Sequence, residues 1–301
     1  MQNIQGSFER MDELQEQMST GKTVNRPSDD PMLMRQILKF GTSMRESEQY
    51  IRNIETGLGR LEATSSALDS VGEVLLDVIG LATAASSDSV ESSERSLHAT
   101  ELNLMLDQLI QLANKTYQGK FLFGGVNTVS GACSFSTPFT AQLGANGLIS
   151  GVVQNPKGIN GLVSVPVAKN ISEAINISGA IAFQPNGAKG ELDIFQALIT
   201  LRDNILNKES SDTISAGAED VKQAYTNLIN QESILGAQIH KLEVEKDWAS
   251  ETLLQDTAAR SNIEDADYAE LYTKYSLAEM LMSTTLQSTA NLLQQSLLNF
   301  I

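Results

Sequence analysis

Residues 51–82 read IRNIETGLGRLEATSSALDSVGEVLLDVIGLA, and this stretch decides the fold. Ile54, Leu61, Leu68, Leu75 and Ala82 recur every seven residues, with Ile51, Leu58 and Ile79 in the companion positions and Ser65 and Gly72 interrupting that second row. A seven-residue apolar repeat keeps one stripe of a helix turned toward another helix. The repeat returns late in the chain at Val221, Leu228, Leu235, Leu242 and Ala249, accompanied by Tyr225, Ile239 and Leu253, with Glu232 and Lys246 in the remaining companion positions. Long side chains can extend charged heads out of a partly open seam, and charged seam residues can also set register among helices.

Proline placement permits helices of this length. Pro27 and Pro31 stand near the start and Pro138, Pro156, Pro166 and Pro185 in the middle, which leaves 32–137 and 186–301 free of the residue that breaks helical hydrogen bonding. Ile4, Phe8, Met11 and Leu14 or Met18 predict a short amphipathic helix before Ser19-Thr20-Gly21. A second helix after Pro31 is predicted to turn at Thr83 to Ser93. A third runs from about Glu94 to Tyr117, with Leu97, Leu102, Leu104, Met105, Leu109 and Leu112 as its apolar side. A shorter helix is expected near Leu192 to Leu206, and from about Ile263 onward a helix with apolar residues on more than one face, the pattern of contact from several sides. Between Gly124 and Gly190, glycines separate short Val/Ile-rich runs such as Leu162 to Val167, which predicts strands and turns. The fold class expected is mainly α: a long antiparallel coiled-coil-like bundle formed by both chain ends, with a small β-rich inserted domain. The expected division is 1–31 with 263–301 as terminal helices, 32–123 with 191–262 as the bundle, and 124–190 as the insert.

Composition narrows the function. The 301 residues carry 21 Lys+Arg against 37 Asp+Glu, a net charge of -16 that argues against nucleic acid or an anionic membrane as partner. Cys133 is the only cysteine, so neither a disulfide, a zinc cluster nor a CxxC pair can form within the chain. Met280 to Ile301 is uncharged, but half of it is Ser, Thr, Gln or Asn, unlike a membrane span. The N-terminus lacks the basic start and apolar core of a cleaved secretory signal. Ser19-Thr20-Gly21-Lys22 satisfies S-x-x-K without the accompanying elements of a penicillin-binding site, and Gly21-Lys22-Thr23 ends like a P-loop with Glu16 where the first glycine belongs. His98 and His240 have no second ligand at metal spacing, and Asp29-Asp30 lacks the alternating oxygen donors of a hard-cation loop. No catalytic, cofactor or metal residue is therefore expected.

Met18 to Pro31 reads first as local chemistry: Gly21 ends a helix, Pro27 enforces extension, and Ser28 or Asp29 caps the helix that Pro31 begins. The same residues, through Ser19, Gly21, Lys22, Asn25, Arg26, Pro27, Asp29, Asp30 and Pro31, resemble the spoke-region signature of bacterial flagellins and hook-associated proteins, S-G-K/R-x-x-N-x-x-x-D-D. Asn114 to Gly125, with Phe121-Leu122-Phe123-Gly124-Gly125, and then Thr137-Pro138-Phe139 look like the Y-L-F-G-G and P-F segments of that family's hook-filament junction members. The Gln/Leu/Ser/Asn-rich C-terminus ending Leu297-Leu298-Asn299-Phe300-Ile301 agrees with them.

The resemblance implies a structural subunit of the bacterial flagellum, not an enzyme, that works outside the cell after type III export without a cleaved signal. Its implied partners are the other hook-associated junction protein, flagellin, copies of itself, and an export chaperone on Leu286, Leu292, Leu293, Leu297, Leu298 and Phe300. It also implies about ten further helical residues ahead of Ile4-Gln5-Gly6. The competing readings are a flagellin filament subunit and a secreted coiled-coil adhesin or tip protein.

Overall fold

A computed structural model of the chain describes residues 2–87, 91–126, 137–155, 158–183 and 192–298. In chain order the helices are α1 (Gln2–Thr20), α2 (Pro31–Ala85), α3 (Ser92–Ala113), α4 (Gly179–Phe183), α5 (Ile194–Leu206), α6 (Ser211–Glu264) and α7 (Tyr268–Leu298). Between α3 and α4 lie β1 (Thr116–Tyr117), β2 (Lys120–Phe121), β3 (Phe139–Leu143), β4 (Ile149–Gln154), β5 (Ser164–Ala168) and β6 (Ile171–Ala174). The mainly α fold with small antiparallel sheets in the middle is therefore the one the repeats predict. Contacts divide the chain into two compact units, Met1–Gln49 with Ala249–Ile301, and Tyr50–Trp248.

In the Tyr50–Trp248 unit, α2 and α6 run antiparallel in one register. Glu55 accepts from Lys246 Nζ at 2.9 Å. Gly57 faces Leu242, Gly72 faces Tyr225 and Leu228, and Ser211 Oγ donates to Ser86 O at 2.5 Å, so each step up one helix is a step down the other. Ile54, Leu61, Leu68, Leu75 and Ala82 are fully buried, as are Val221, Leu228, Leu235 and Leu242 on the facing helix. Leu58 and Ile79 in the companion row are only half-buried. The second buried stripe runs instead through Thr64, Ala67, Val71, Val74, Val78 and Ala85, because α2 is covered from more than one side.

Two details of α3 depart from the sequence reading. Leu97 and Leu104 are about two-thirds exposed, while Ala99, Leu102, Leu106, Leu109, Ile110 and Ala113 make the buried face. The helix stops at Ala113 rather than near Tyr117, because the Asn114 side chain pairs with β3 as a peptide would, donating to Phe139 O at 2.8 Å and accepting from Phe139 N at 3.0 Å. The chain then turns through Gln118 and Gly119, both at positive φ (50° and 72°), into the two-residue hairpin loop that favours such conformations.

The strands form three separate antiparallel hairpins, β1 with β2, β3 with β4 and β5 with β6. Each is fastened to the helices. Asn53 Nδ2 donates to Pro166 O at 2.9 Å and Lys241 pairs with Glu173 at 2.6 Å, which seats β5–β6 across α2 and α6. Arg202, almost fully buried, ties α5 to α3 and β4 by donating to Asn103 Oδ1 at 2.7 Å and Ile149 O at 2.5 Å.

Glycine inside a helix costs about 1 kcal/mol relative to alanine. Gly57 is retained where the insert approaches α2, since a Cβ there would lie 2.6 Å from Ile175 Cγ2. Gly80 faces open space. Gly57→Leu is expected to lower stability by roughly 1–3 kcal/mol through overpacking, whereas Gly80→Ala is expected to raise it by about 0.5–1 kcal/mol; urea unfolding of both variants followed by circular dichroism measures the contrast.

Candidate functional site

The Met1–Gln49 with Ala249–Ile301 unit gathers the residues of the spoke signature against the break between α6 and α7. Asp265, Ala266 and Asp267 interrupt what the sequence reads as one helix from Ile263, and Asp267 caps α7 by accepting from Ala269 N at 2.8 Å and Glu270 N at 3.2 Å. The spoke strand pairs with this break. Thr23 N donates to Glu264 O at 2.7 Å, Ala266 N donates to Gly21 O at 3.0 Å, and Lys22 bridges to Asp265. Gly21, at φ 70°, lies under the Tyr268 hydroxyl, which would stand 2.8 Å from any Cβ placed there.

Glu264 is the electrostatic centre of this clamp. It is buried, and its carboxylate takes Lys22 Nζ at 2.5 Å, Arg260 Nε at 2.5 Å and Arg260 Nη2 at 3.3 Å. Arg260 first, and Lys22 after it, hold its carboxyl below the ordinary carboxylate range against the opposing effect of burial. Gln17 Nε2 donates to Thr23 O at 2.9 Å, and Arg26 pairs with Glu16 at 3.1 Å on the flank. The capping assignment moves by one or two residues from Ser28 or Asp29. Asp30 caps α2 by accepting from Met32 N at 2.8 Å and Leu33 N at 3.0 Å. Asp29 closes the spoke turn instead, taking Arg26 N at 2.7 Å and Asn25 N at 3.1 Å; these bonds, chiefly that from Arg26, hold its carboxyl below the usual range. Ser19 and Pro27 are exposed, and Pro31 opens α2.

Beyond the clamp, α1 and α7 pack antiparallel around an open groove of about 670 Å³ with Leu14, Leu277, Ala278 and Leu281 among its lining residues. Tyr268, Tyr272, Leu277, Met280, Leu281 and Leu286 of α7 are all about half exposed or more. Leu292, Leu293, Leu297 and Leu298 lie in α7, and Phe300 lies outside the described residues, as does Cys133.

The second group of singled-out residues, Phe121 to Gly125, is buried. Phe123 packs edge-on to Phe183 with ring centroids 4.9 Å apart, and Phe139 and Phe195 complete the cluster at 5.3 Å from one another. Arg60, buried in α2, donates from Nη2 to Phe121 O at 2.9 Å, and loss of hydration draws its guanidinium below the ordinary value. Gly125 sits at φ 62° with Gly158 O only 2.0 Å from where a Cβ would be. This segment is an internal joint between helices and insert.

Sequence reasoning left out Arg60, Arg260, Glu264 and Tyr268. A charged residue on a long helix reads as a solvated face, and the break at Asp265 carries neither Gly nor Pro to signal it. Among the described residues no group of three or more His, Cys, Asp or Glu is placed to hold a metal ion, and no helix is long and apolar enough to cross a membrane.

Long helices from both chain ends, a spoke strand locked onto the break between the last two, and a small β-rich insert define a flagellin-type helical protein. The bacterial flagellin N-terminal helical region matches residues 1–128 and the bacterial flagellin C-terminal helical region matches residues 218–301, and the chain belongs to this family. It is 26% identical over 285 residues to flagellar hook-associated protein 3 of Escherichia coli (strain K12), covering 91% of this chain and 86% of that protein. It is 23% identical over 296 residues to the flagellin of Listeria monocytogenes, covering 97% and 92%. Among solved structures, the flagellar hook-associated protein-3 of Legionella pneumophila superposes with a TM-score of 0.61 at 14% identity, over 75% of this chain and 98% of that one. Xanthomonas campestris FlgL gives 0.58 at 15%, over 74% and 98%, and both show the same fold.

Two outcomes test this geometry. Because Glu264 is held ionised, the stability it supplies is present above its ordinary value of 4.5 and is lost as pH falls through its lower folded value. Glu264→Gln is expected to cost roughly 1–3 kcal/mol at neutral pH and to flatten the acid limb of the pH-stability curve, read as hydrogen exchange in residues 15–30. Phe123→Ala is expected to cost about 3–5 kcal/mol, measured by urea unfolding.

Proposed function

We propose that this chain is a structural subunit of the bacterial flagellum that joins a hook-associated protein to the flagellin filament. The observation that carries this reading is its match to hook-associated protein 3 of Escherichia coli along 91% of its length. The buried Phe121–Gly125 joint supports it, since it lies on the segment by which the sequence resembles junction proteins, while the spoke clamp lies on a signature shared with flagellins.

Its activity is packing rather than catalysis. In this reading residues 1–31 with 263–301 serve as the terminal helical layer, 32–123 with 191–262 as the bundle, and 124–190 as the insert. Helices in water gain most of their stability by burying an apolar face, and α7 leaves Tyr272, Met280 and Leu281 more than half exposed in the single chain. Copies of this chain, the neighbouring hook-associated protein and flagellin cover those faces on assembly. Before export through the flagellar type III route, a chaperone covers the C-terminal apolar residues Leu286, Leu292, Leu293, Leu297, Leu298 and Phe300. The finished subunit then sits outside the cell.

Expression of the chain in a motile bacterium lacking its junction protein is expected to restore filaments on the hook. A variant lacking Asn291 to Ile301 is expected to lose both chaperone binding and filament restoration. Normal filaments from that variant, or polymerisation of the purified chain by itself into long filaments, would overturn the junction role, the latter in favour of a flagellin.

A further inference from the structure

The α2–α6 seam carries charge at companion positions of α6 and, on α2, at the positions that directly follow the apolar row. On α2, Glu55, Glu62 and Asp69 follow one another at intervals of seven, while α6 presents Lys246, Ile239 and Glu232 in the opposite direction. The register fixed by Glu55–Lys246 at 2.9 Å and by Gly72 over Tyr225 and Leu228 brings Asp69 level with Glu232. One end of the ladder is thus an ion pair and the other a meeting of two carboxyls, and those two are within hydrogen-bonding reach of each other.

We propose that Glu232 carries a proton in its hydrogen bond to Asp69 across the seam, so that this part of the helix pair tightens in mildly acidic medium and loosens in alkaline medium. Two carboxylates cannot both stay ionised at hydrogen-bonding distance without repulsion, and a single proton turns that repulsion into a bond.

Among the described residues no ion pair joins Glu232 or Asp69 to a cation. Among the described residues Asp69 is the charged group that acts on Glu232. On the side toward α4 and the start of α5, α6 presents the uncharged Asn227, Asn230 and Gln231 beside Ile181, Ala182, Leu192 and Ile194. The nearer seam residues Leu228 and Leu235 are buried and apolar. Lys222 is engaged by Glu219 at 3.4 Å, and Lys246 by Glu55.

Hydrogen bonding by Asp69, with partial burial and the Asp69 charge behind it, pushes Glu232 up from 4.5 to about 7. A carboxyl raised in this way adds stability that is present in full below its unfolded value and is gone once pH rises through the folded one, so the response spans about 4.5 to 7. This is opposite in sign to the Glu264 clamp, which weakens in acid. Glu245 also rises, through burial and the nearby Glu173 charge, so a reading confined to the seam is needed.

The experiment is hydrogen exchange of the full chain at pH 5.5 and 8.5, corrected for intrinsic rates, in peptides covering 62–76 and 225–239. Wild-type protection there is expected to be on the order of ten-fold greater at pH 5.5. Asp69→Asn and Glu232→Gln, which keep shape and a hydrogen-bonding amide, are each expected to abolish the pH difference in these peptides and to leave residues 241–248 responding as before. Equal wild-type protection at the two pH values, or an undiminished pH difference in both variants, would overturn the protonated Glu232 bond.

Discussion

The register of α2 against α6 is the constraint on which the Tyr50–Trp248 unit depends. A seam of heptad-spaced Leu, Ile and Val tolerates displacement by whole heptads, because the apolar stripe repeats itself. What fixes one position is everything that does not repeat. Gly72 lies against Tyr225, Gly57 makes room for Ile175, and Lys246 finds Glu55. With that register set, the residues of α2 that face the insert are fixed as well, so Asn53 meets Pro166 and Arg60 meets the carbonyl of Phe121.

The other unit is organised by polar contacts instead of a long apolar seam. Between Gly21 and Thr23 on one side and Glu264 and Ala266 on the other, backbone bonds make a short two-stranded bridge where two helices end. A buried carboxylate with two cations is costly to desolvate and strongly destabilising to break. Glu264 with Lys22 and Arg260 therefore serves less as a source of stability than as a means of holding the ends of α1 and α6 in one arrangement. The α1–α7 groove and the apolar residues exposed along α7 begin directly beyond it.

Much of this was legible. The seven-residue spacing of Ile54 to Ala82 and of Val221 to Leu242 named the buried residues correctly, and the glycine-rich interval announced the β3–β4 and β5–β6 hairpins but not β1–β2, which precedes it. Leu97 and Leu104 misled because a heptad spacing marks a stripe without saying which stripe faces the core. The end of α3 was missed because Asn114 acts through β3, whose Phe139 is 25 residues away in sequence. The clamp was half visible: the Lys22 side carried a motif, and the Glu264 side carried no local signal.

The sequence by itself determined where helices are possible, which stripe of α2 and of α6 is apolar, and that the middle differs in kind, since these follow from proline placement, periodicity and turn residues acting over a few positions. Only the tertiary structure decided that Phe121 to Gly125 is an internal joint, that Glu232 meets a carboxylate while Lys246 meets its counter-ion, and that Glu264 receives the spoke. Those outcomes depend on which residues far apart in sequence come into contact, as Arg60 and Phe121 do across 61 positions and Lys22 and Glu264 across more than two hundred, and no local pattern of one chain encodes that contact.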